Sequence, residues 1–320
     1  MTDTALRLRG ATFRHRRAAP TLFKPLRTLP SAGIVNADIE LQKGTITGLV
    51  GVNGAGKSTL LRMIAGVLPL QNGEVEISGK KVDVETQRMM IGHMPEQVRW
   101  QGEITVEQAL HRISLLRGEK QNSAELIQIT GLGRRKDDLL DTLSQGMRQR
   151  LSLASSLMGN PRILLLDEPL NGLDPVAQKA MIVLLNSLKE KGVAILVSSH
   201  QLAEISSFID QLAVVHRGQV IAQGTVGELQ DELELSGRFR IEGIGNSPPG
   251  SQGDDERWVL ECTGDRFSKL KTLIEEGFEV DSCVPIEAGL DEILEALTGV
   301  DSIDIEDSSL LPFKRRGEEE

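Results

Sequence analysis

Two short apolar runs in the middle of the chain enclose a longer amphipathic stretch. Residues 162–166 and 193–198 are largely apolar and too short for buried helices, so each run predicts a buried strand. Residues 175–191, between them, carry apolar side chains at helical spacing and predict an amphipathic helix. A strand, a helix and a strand in this order form a parallel β-α-β unit. The pattern therefore predicts an α/β fold.

A second change from strand to helix lies closer to the N-terminus. Residues 45–50 predict a buried strand that leads into a glycine-rich turn at residues 51–56. Apolar residues then recur at four-residue spacing from Leu60 to Leu68, and Pro69 ends the predicted helix. This part of the chain is predicted to run from strand to loop to helix.

The remaining pattern divides the chain into two domains and a tail. The first, residues 1–226, has predicted strands at 74–78 and 82–84 around a turn at 79–81, a mainly helical segment at 104–160 and a hairpin at 211–224. A small α+β domain, 227–306, has predicted strands near 238–244 and 257–263 around a loop, a helix at 266–277, a strand at 279–286 and a helix at 289–298. Residues 307–320 predict a disordered acidic tail.

Composition and charge disfavour several classes of protein. The net charge of −10 argues against a protein that grips a nucleic-acid backbone, because that binding depends on Lys and Arg. The two cysteines, Cys262 and Cys283, do not make a secreted disulfide framework and favour a reducing cytosol. The longest apolar runs fall far short of the roughly 20 residues that cross a bilayer. A transport role would therefore require a separate membrane partner.

The glycine-rich turn carries the strongest chemical pattern in the chain. Residues 51–58 read Gly-Val-Asn-Gly-Ala-Gly-Lys-Ser, which matches a phosphate-binding loop. Glycines let backbone amides turn inward around phosphate oxygens, and the helix N-terminus adds its dipole. Lys57 is predicted to act on the β- and γ-phosphates in binding and catalysis, and the Ser58 hydroxyl to ligate Mg²⁺. The predicted nucleotide contacts are Gly51, Asn53, Gly54, Ala55, Gly56, Lys57, Ser58 and Thr59.

Two carboxylates, Asp167 and Glu168, end the apolar run at 163–166. Ligands of open α/β sheets bind at the carboxyl ends of strands. Asp167 suits a role as Mg²⁺ ligand, whereas Glu168 would point elsewhere and is predicted to polarise an attacking water as general base. An acidic strand end without function is the alternative.

A further segment connects these elements to a known family. Residues 143–150, here called the signature segment, read Leu-Ser-Gln-Gly-Met-Arg-Gln-Arg and precede a predicted helix, where a serine alone would be only a helix cap. Together with the phosphate loop, the two carboxylates, the Asn-Gly-Leu-Asp at 171–174 and the Ser-Ser-His at 198–200, it resembles the nucleotide-binding subunits of ABC transporters over roughly residues 5–230. The Gly-Met form of the segment is similar to subunits of exporters for drugs, lipids or polysaccharides.

The resemblance implies a P-loop NTPase core with antiparallel β and helical subdomains (the latter at about 98–160), and ATP and Mg²⁺ as cofactors. It implies that two copies, or this chain and a sister ATPase subunit, close head to tail around ATP, with Ser144 and Gly146 facing the partner's phosphate loop. Asp174 would lie at the subunit boundary and His200 would reach the γ-phosphate, although an isolated His is more often structural. The implied transmembrane permease places the chain at the cytoplasmic face of the membrane.

Some assignments stay open on these residues. The family places a Gln near Mg²⁺ after a short strand, and here Glu96 is in register, as nucleotide contact and metal ligand, with Gln97 as the alternative. Phe13 is the best-placed aromatic to stack on adenine in a chain without tyrosine, although a core position fits equally well. The basic segment 14–35 would contact a partner or lipid headgroups, or be a solvated insertion. The helix at 289–299 is interpreted as a packing helix, with dimerisation or regulation as the alternative.

Two other functions are alternatives to a transport ATPase. A soluble ABC-type ATPase of an iron-sulfur assembly scaffold is one, whereas tandem-cassette ribosomal members and coiled-coil repair members do not fit a chain with one phosphate loop and no heptads. A non-hydrolysing module that uses ATP to dimerise is the other. It predicts loss of the general base or of the histidine, yet Glu168 and His200 are both present. The sequence favours the transport ATPase.

Overall fold

The computed structural model describes residues 3–18, 28–118, 123–253, 256–286 and 288–299. The chain divides after Gln223 into two compact units, three residues before the predicted boundary at residue 226. The predicted tail, residues 307–320, lies outside the described residues.

The first unit contains two sheets and the helices around them. Its strands are β1 (Thr4–Ala18), β2 (Thr28–Gln42), β3 (Ile46–Val50), β4 (Asn72–Ile77), β5 (Lys80–Lys81), β6 (Ile91–Met94), β7 (Ile163–Asp167), β8 (Ala194–Ser198), β9 (Gln211–His216) and β10 (Gln219–Gly224). Its helices are α1 (Lys57–Ile64), α2 (Val84–Met90), α3 (Val106–Leu116), α4 (Ser123–Ile129), α5 (Gln145–Ser156), α6 (Pro175–Glu190) and α7 (Leu202–Ile205), with 3₁₀ turns at Gly133–Arg135 and Leu140–Thr142.

The larger sheet has six strands in the order β10-β9-β3-β8-β7-β6. Strand β3 pairs in parallel with β8 and β9, and β7 pairs in parallel with β6 and β8. All five residues of β3, β7 and β8 are buried, as expected for strands covered on both faces. Because these strands are parallel, the carboxyl ends of β3, β7 and β8 meet at one edge, which is where the candidate site lies.

The smaller sheet is antiparallel, in the order β2-β1-β4-β5. Strands β1 and β2 pair from Thr4 opposite Gln42 to Ala18 opposite Thr28. The basic segment 14–35, expected as an insertion between elements, is therefore in large part the continuation of these two strands. Residues 19–27 of that segment lie outside the described residues. A contact of this segment with a partner or lipid stays a prediction.

Two local predictions are wrong near this sheet. The strand expected at 82–84 is absent, because Asp83 caps a helix: its side chain accepts a hydrogen bond from the Thr86 N–H at 2.8 Å and α2 begins at Val84. The helix expected to reach Leu68 ends at Ile64, since Gly66 adopts a left-handed φ of 68° that terminates it.

The second unit is a small α+β arrangement. It consists of α8 (Val226–Glu232), β11 (Arg238–Ile244), β12 (Gln252–Gly253), β13 (Arg257–Thr263), α9 (Arg266–Glu275), β14 (Glu279–Ile286) and α10 (Leu290–Thr298). The sheet order is β12-β13-β11-β14, and its core comprises Phe239, Ile241, Trp258, Leu260 and Leu273. Helix α10 buries Leu290, Ile293 and Leu294, which supports its interpretation as a packing helix.

Candidate active site

The phosphate loop connects β3 directly to α1. Its first glycine, Gly51, has a φ of 152°, and a Cβ built there would lie 2.1 Å from the carbonyl oxygen of Val215 on β9. No residue with a side chain fits such an approach, so glycine is required at this position. The turn between β9 and β10 holds the other side of the loop. Gly218 donates its N–H to the Ala55 carbonyl at 2.8 Å and accepts the Val35 N–H at 2.8 Å.

Lys57 is buried at the start of α1, with 7% of its surface exposed. Its Nζ donates to the carbonyl oxygen of Gly51 at 2.6 Å. Burial lowers the pKa of Lys57, and the nearby carboxylates of Glu168, Asp167 and Glu96 act in the opposite direction. The predicted phosphate-binding lysine therefore lies among the three carboxylates that the sequence placed in the site.

Asp167 ends β7 and has no exposed surface. Its Oδ1 accepts a hydrogen bond from the Ser198 hydroxyl at the end of β8 at 2.7 Å. The same hydroxyl accepts the backbone N–H of Glu168 at 3.0 Å. Oδ2 of Asp167 is buried and has no hydrogen-bond partner among the described residues. The sequence marks Ser198 as part of the Ser-Ser-His motif but does not predict this contact, which depends on the pairing of β7 with β8.

Glu168 and His200 form a pair. Glu168 Oε2 lies 2.8 Å from His200 Nδ1, with 11% and 30% of the respective side-chain surfaces exposed. Since an ionised carboxylate only accepts hydrogen bonds, Nδ1 donates whenever Glu168 is charged. Burial raises the pKa of Glu168, and His200 opposes this rise. The Glu168 backbone has a φ of 52°, in the left-handed region that non-glycine residues rarely adopt.

Lys57, Glu168 and His200 face one open cavity of about 380 Å³, whereas Gly51 and Asp167 are not among its lining residues. It is lined by Val52, Asn53, Gly54, Ala55, Gly56, Lys57, Ser58, Thr59, Glu96, Glu168 and His200. Of the two residues left open after β6, Glu96 lines this cavity and Gln97 does not. Phosphate-binding amides, a buried lysine, a hydroxyl and two carboxylates thus share one space.

The signature segment lies apart from this cavity. Ser144 and Gly146 of this segment are not among the residues that line the cavity, and neither is Asp174 further along the chain. Ser144 caps α5 and accepts the Met147 N–H at 3.3 Å, and Asp174 caps α6 and accepts the Ala177 N–H at 2.8 Å. Within one chain these two side chains serve as helix caps.

Gln149 of the signature segment contacts the backbone of the candidate site, a contact that the sequence does not predict. Its Nε2 donates to the carbonyl oxygens of Glu168 at 3.1 Å and Pro169 at 3.3 Å. Helix α5 is thereby linked to the turn that carries the candidate base. The sequence spacing of about 20 residues gave no signal for this contact, which the fold creates.

Phe13 is partly buried and packs against the main hydrophobic core, in agreement with the core alternative considered for it. His15, two residues further on β1, is exposed, and its Nε2 lies 3.5 Å from the hydroxyl of Thr59 at the phosphate loop. The two rings meet edge to face with centroids 4.9 Å apart. His15, rather than Phe13, therefore contacts the phosphate loop.

The donor set fits a magnesium ion bound together with phosphate. Ser58 and Glu96 offer oxygens to the cavity, and Oδ2 of Asp167 is a buried acceptor that lacks a partner. Within the described ranges, no group of three or more His, Cys, Asp or Glu side chains forms a metal cage. Mg²⁺ characteristically binds through one or two carboxylates plus substrate phosphates and water, which agrees with this sparse set.

Comparison with known proteins agrees with this geometry. The ABC transporter family profile matches residues 34–171, which include the phosphate loop, the signature segment and both carboxylates. The chain is 34% identical over 227 residues to the daunorubicin/doxorubicin resistance ATP-binding protein DrrA of Streptomyces peucetius, an alignment that covers 66% of this chain and 69% of DrrA. The chain belongs to the ABC transporter ATP-binding subunits. Members of this family bind nucleotide and are ATPases.

Two further proteins are similar to this ABC subunit, one in sequence and one in structure. It is 32% identical over 200 residues to the linearmycin resistance ATP-binding protein LnrL of Bacillus subtilis (strain 168), covering 60% of this chain and 64% of LnrL. The chain thus spans just under two thirds of that relative. A solved ATP-binding subunit of an ABC transporter superposes with a TM-score of 0.61 at 27% identity, covering 72% of this chain and 94% of that one. These relatives confirm the predicted fold class.

Among the described residues, every helix is too short or too polar to cross a bilayer.

Proposed function

We propose that this ABC subunit hydrolyses ATP at the cavity described above and that the reaction drives a separate transmembrane permease of the exporter type. The observation that carries the proposal is the Glu168–His200 pair, 2.8 Å apart and lining the same cavity as the phosphate loop. Binding of ATP alone needs no general base, so this pair favours hydrolysis over a module that only dimerises. The exporter type is supported by the drug-resistance relatives DrrA and LnrL.

The proposed chemistry assigns one task to each group. Amides of the phosphate loop and Lys57 hold the phosphates and stabilise the charge that develops on them. Glu168, in its ionised form, takes a proton from the attacking water, and His200 holds that carboxylate in place through its Nδ1–H. Magnesium, held by Ser58, Asp167 and Glu96, would supply charge neutralisation on the phosphate oxygens. Lys57, Ser58, Glu96, Glu168 and His200 line the cavity and Asp167 directly precedes Glu168 at the end of β7, which supports these roles.

The base of the nucleotide is proposed to lie near the N-terminal sheet. His15 approaches Thr59 at the loop, whereas Phe13 packs against the core. An exposed imidazole can stack on a purine ring, since base–aromatic stacking does not depend on base identity. His15 is therefore assigned the base contact in place of Phe13.

The signature segment is proposed to act on a second subunit. Ser144 and Gly146 lie outside the lining of the cavity of their own chain. Ser144 sits at the N-terminus of α5, a 12-residue helix, and helix N-termini favour anions. In a head-to-tail pair of subunits, ATP would bridge the phosphate loop of one chain and this helix start of the other. Removal of the γ-phosphate would then release the contact and reopen the pair.

A groove with exposed apolar side chains among charged ones supports the proposal of a permease partner. It has a volume of about 870 Å³ and is lined in part by α2 and the end of α3. Met89, Leu115 and Leu116 in this groove are 63%, 66% and 86% exposed. Exposed apolar clusters of this kind mark protein interaction sites. We assign the groove to a segment of the permease at the cytoplasmic face of the membrane.

The test of the partner is co-purification of the tagged chain from its native cells in mild detergent. We expect a polytopic membrane protein that is retained by the wild type and lost from Leu116→Glu. Val183→Glu, at an equally apolar and 68% exposed position on α6 outside the groove, is the matched control and should retain it. Recovery with soluble iron-sulfur assembly proteins alone would overturn the transport role and leave the ATPase intact.

The test of the enzyme is phosphate release from ATP by the purified chain, measured with and without Mg²⁺. Turnover that needs Mg²⁺ and disappears in Lys57→Ala supports the proposal. Tight ATP binding without any turnover, alone or with the co-purified permease, would leave only the dimerising module.

A further inference from the structure

Ser198 joins the two carboxylates of the candidate site. It ends β8, has no exposed surface, and donates its hydroxyl proton to Asp167 Oδ1 at 2.7 Å. The same oxygen accepts the N–H of Glu168 at 3.0 Å. A hydroxyl has one proton and two lone pairs, so both bonds form at once. One buried side chain therefore fixes the carboxylate of Asp167 and the backbone of Glu168.

The hydrogen bond from Ser198 engages Oδ1 of Asp167 and not Oδ2. Oδ2 is buried and accepts no hydrogen bond from the described residues. A buried acceptor without a hydrogen bond is unfavourable unless a ligand or water binds to it. Asp167 ends β7 at the same edge of the sheet at which β3 leads into the phosphate loop, and its charge opposes the lowering of the Lys57 pKa by burial. Oδ2 is thus the atom that a cation bound there would use.

We propose that Ser198 is a positioning residue for Mg²⁺·ATP: it occupies Oδ1 of Asp167 so that Oδ2 is reserved for the magnesium site, and it holds the Glu168 backbone in its left-handed conformation. This inference rests on the proposed ATPase function. Carboxylates that ligate metals are themselves held by outer hydrogen bonds, and loss of such a bond lowers metal affinity or activity about 10- to 100-fold. A single serine would accordingly couple the metal ligand to the general base.

The test compares three variants of the full chain. Ser198→Ala removes both bonds, and Ser198→Thr keeps the hydroxyl with a β-branched side chain that suits a strand. Ser199→Ala is the matched control, because Ser199 is the adjacent buried serine and, among the described residues, its hydroxyl bonds to the backbone of Gln201, at 3.1 Å and 2.9 Å. Two readouts are used: ATP affinity in EDTA, and the affinity for Mn²⁺ in the presence of ATP, followed by electron paramagnetic resonance.

We expect Ser198→Ala to bind ATP in EDTA within about twofold of wild type, because the phosphate loop is untouched, and to lose roughly 10- to 100-fold in Mn²⁺ affinity. Ser198→Thr should restore that affinity and Ser199→Ala should not change it. Thermal unfolding confirms the fold of each variant, and Ser198→Cys replaces the alanine variant if the latter does not fold. Equal Mn²⁺ affinity in Ser198→Ala and wild type, or a loss that threonine does not rescue, overturns the proposal. A wild type that binds no ATP at all would instead refute the proposed function itself.

Discussion

Replacing Glu168 by Gln tests the assignment of the general base most directly. His200 Nδ1 lies 2.8 Å from Glu168 Oε2. Glutamine keeps the length of the side chain and an oxygen that can accept the same Nδ1–H. It removes the ability to take a proton, and general-base catalysis contributes about 10²- to 10⁴-fold. At 1.36 kcal/mol per factor of ten, the activation free energy should rise by roughly 3 to 5 kcal/mol. ATP binding should remain, since the phosphate loop is unaltered.

A second replacement at the same position separates catalysis from stability. Glu168→Ala also removes the base, but it leaves the partly buried His200 without its carboxylate partner. A hydrogen bond to a charged group contributes about 1.5 to 3 kcal/mol, so the midpoint of thermal unfolding should fall by roughly 3 to 12 °C for a unit of this size. Glu168→Gln should stay near the wild-type midpoint, because glutamine keeps an acceptor for the Nδ1–H of His200 and removes a charge that burial disfavours.

The assays are phosphate release at saturating Mg²⁺·ATP, ATP binding by calorimetry, and thermal unfolding without nucleotide. Both variants should be slow, and only the alanine variant should be destabilised. Glu168→Gln with more than about a tenth of wild-type turnover would contradict the role of Glu168 as base, because general-base loss is at least about 100-fold. Accumulation of an ATP-bound dimer in that variant would in addition support the head-to-tail pairing.

Three more variants test neighbouring assignments. Lys57→Ala should abolish detectable ATP binding, because no other buried cation lines the described cavity, and calorimetry measures it. His200→Ala should move the acid limb of the pH–rate profile to higher pH, since His200 lowers the pKa of Glu168 and only ionised Glu168 is active; His200→Gln, which keeps a donor, should move it less, and an unchanged limb contradicts the pairing. His15→Ala should weaken ATP binding by roughly 5- to 150-fold, as expected for one lost stacking contact of about 1 to 3 kcal/mol, whereas Phe13→Leu should leave it unchanged.

The sequence predicts those parts of the fold that depend on local pattern. The strand expected at 162–166 is found at Ile163–Asp167, and the helix expected at 175–191 is found at Pro175–Glu190. The strand is a continuous apolar run and the helix has apolar side chains at helical spacing, and both have clear ends. The prediction of a strand at 82–84 is wrong. Three residues carry too little periodicity to outweigh the helix cap that Asp83 forms.

The candidate site divides in the same way. The phosphate loop, Asp167 and Glu168 are predictable because each is a contiguous pattern at the end of a strand. Ser198 and Gln149 are not, because their contacts join residues 19 to 31 positions apart that only the sheet and helix α5 bring together. Choosing Glu96 over Gln97 likewise required the shape of the cavity.

The left-handed backbone at Glu168 bears on attempts to make this protein more heat-resistant. Glycine or asparagine adopts that conformation more readily than glutamate, and backbone strain of this kind amounts to about 1 to 3 kcal/mol. Glycine or asparagine at position 168 would relieve that strain but would weaken or lose the hydrogen bond to His200, which contributes about 1.5 to 3 kcal/mol, so a selection for thermal tolerance has little to gain there. The strained backbone of Glu168 and its contact with His200 thus have energies of opposite sign and similar size, and a stabilising substitution is better placed elsewhere in the chain.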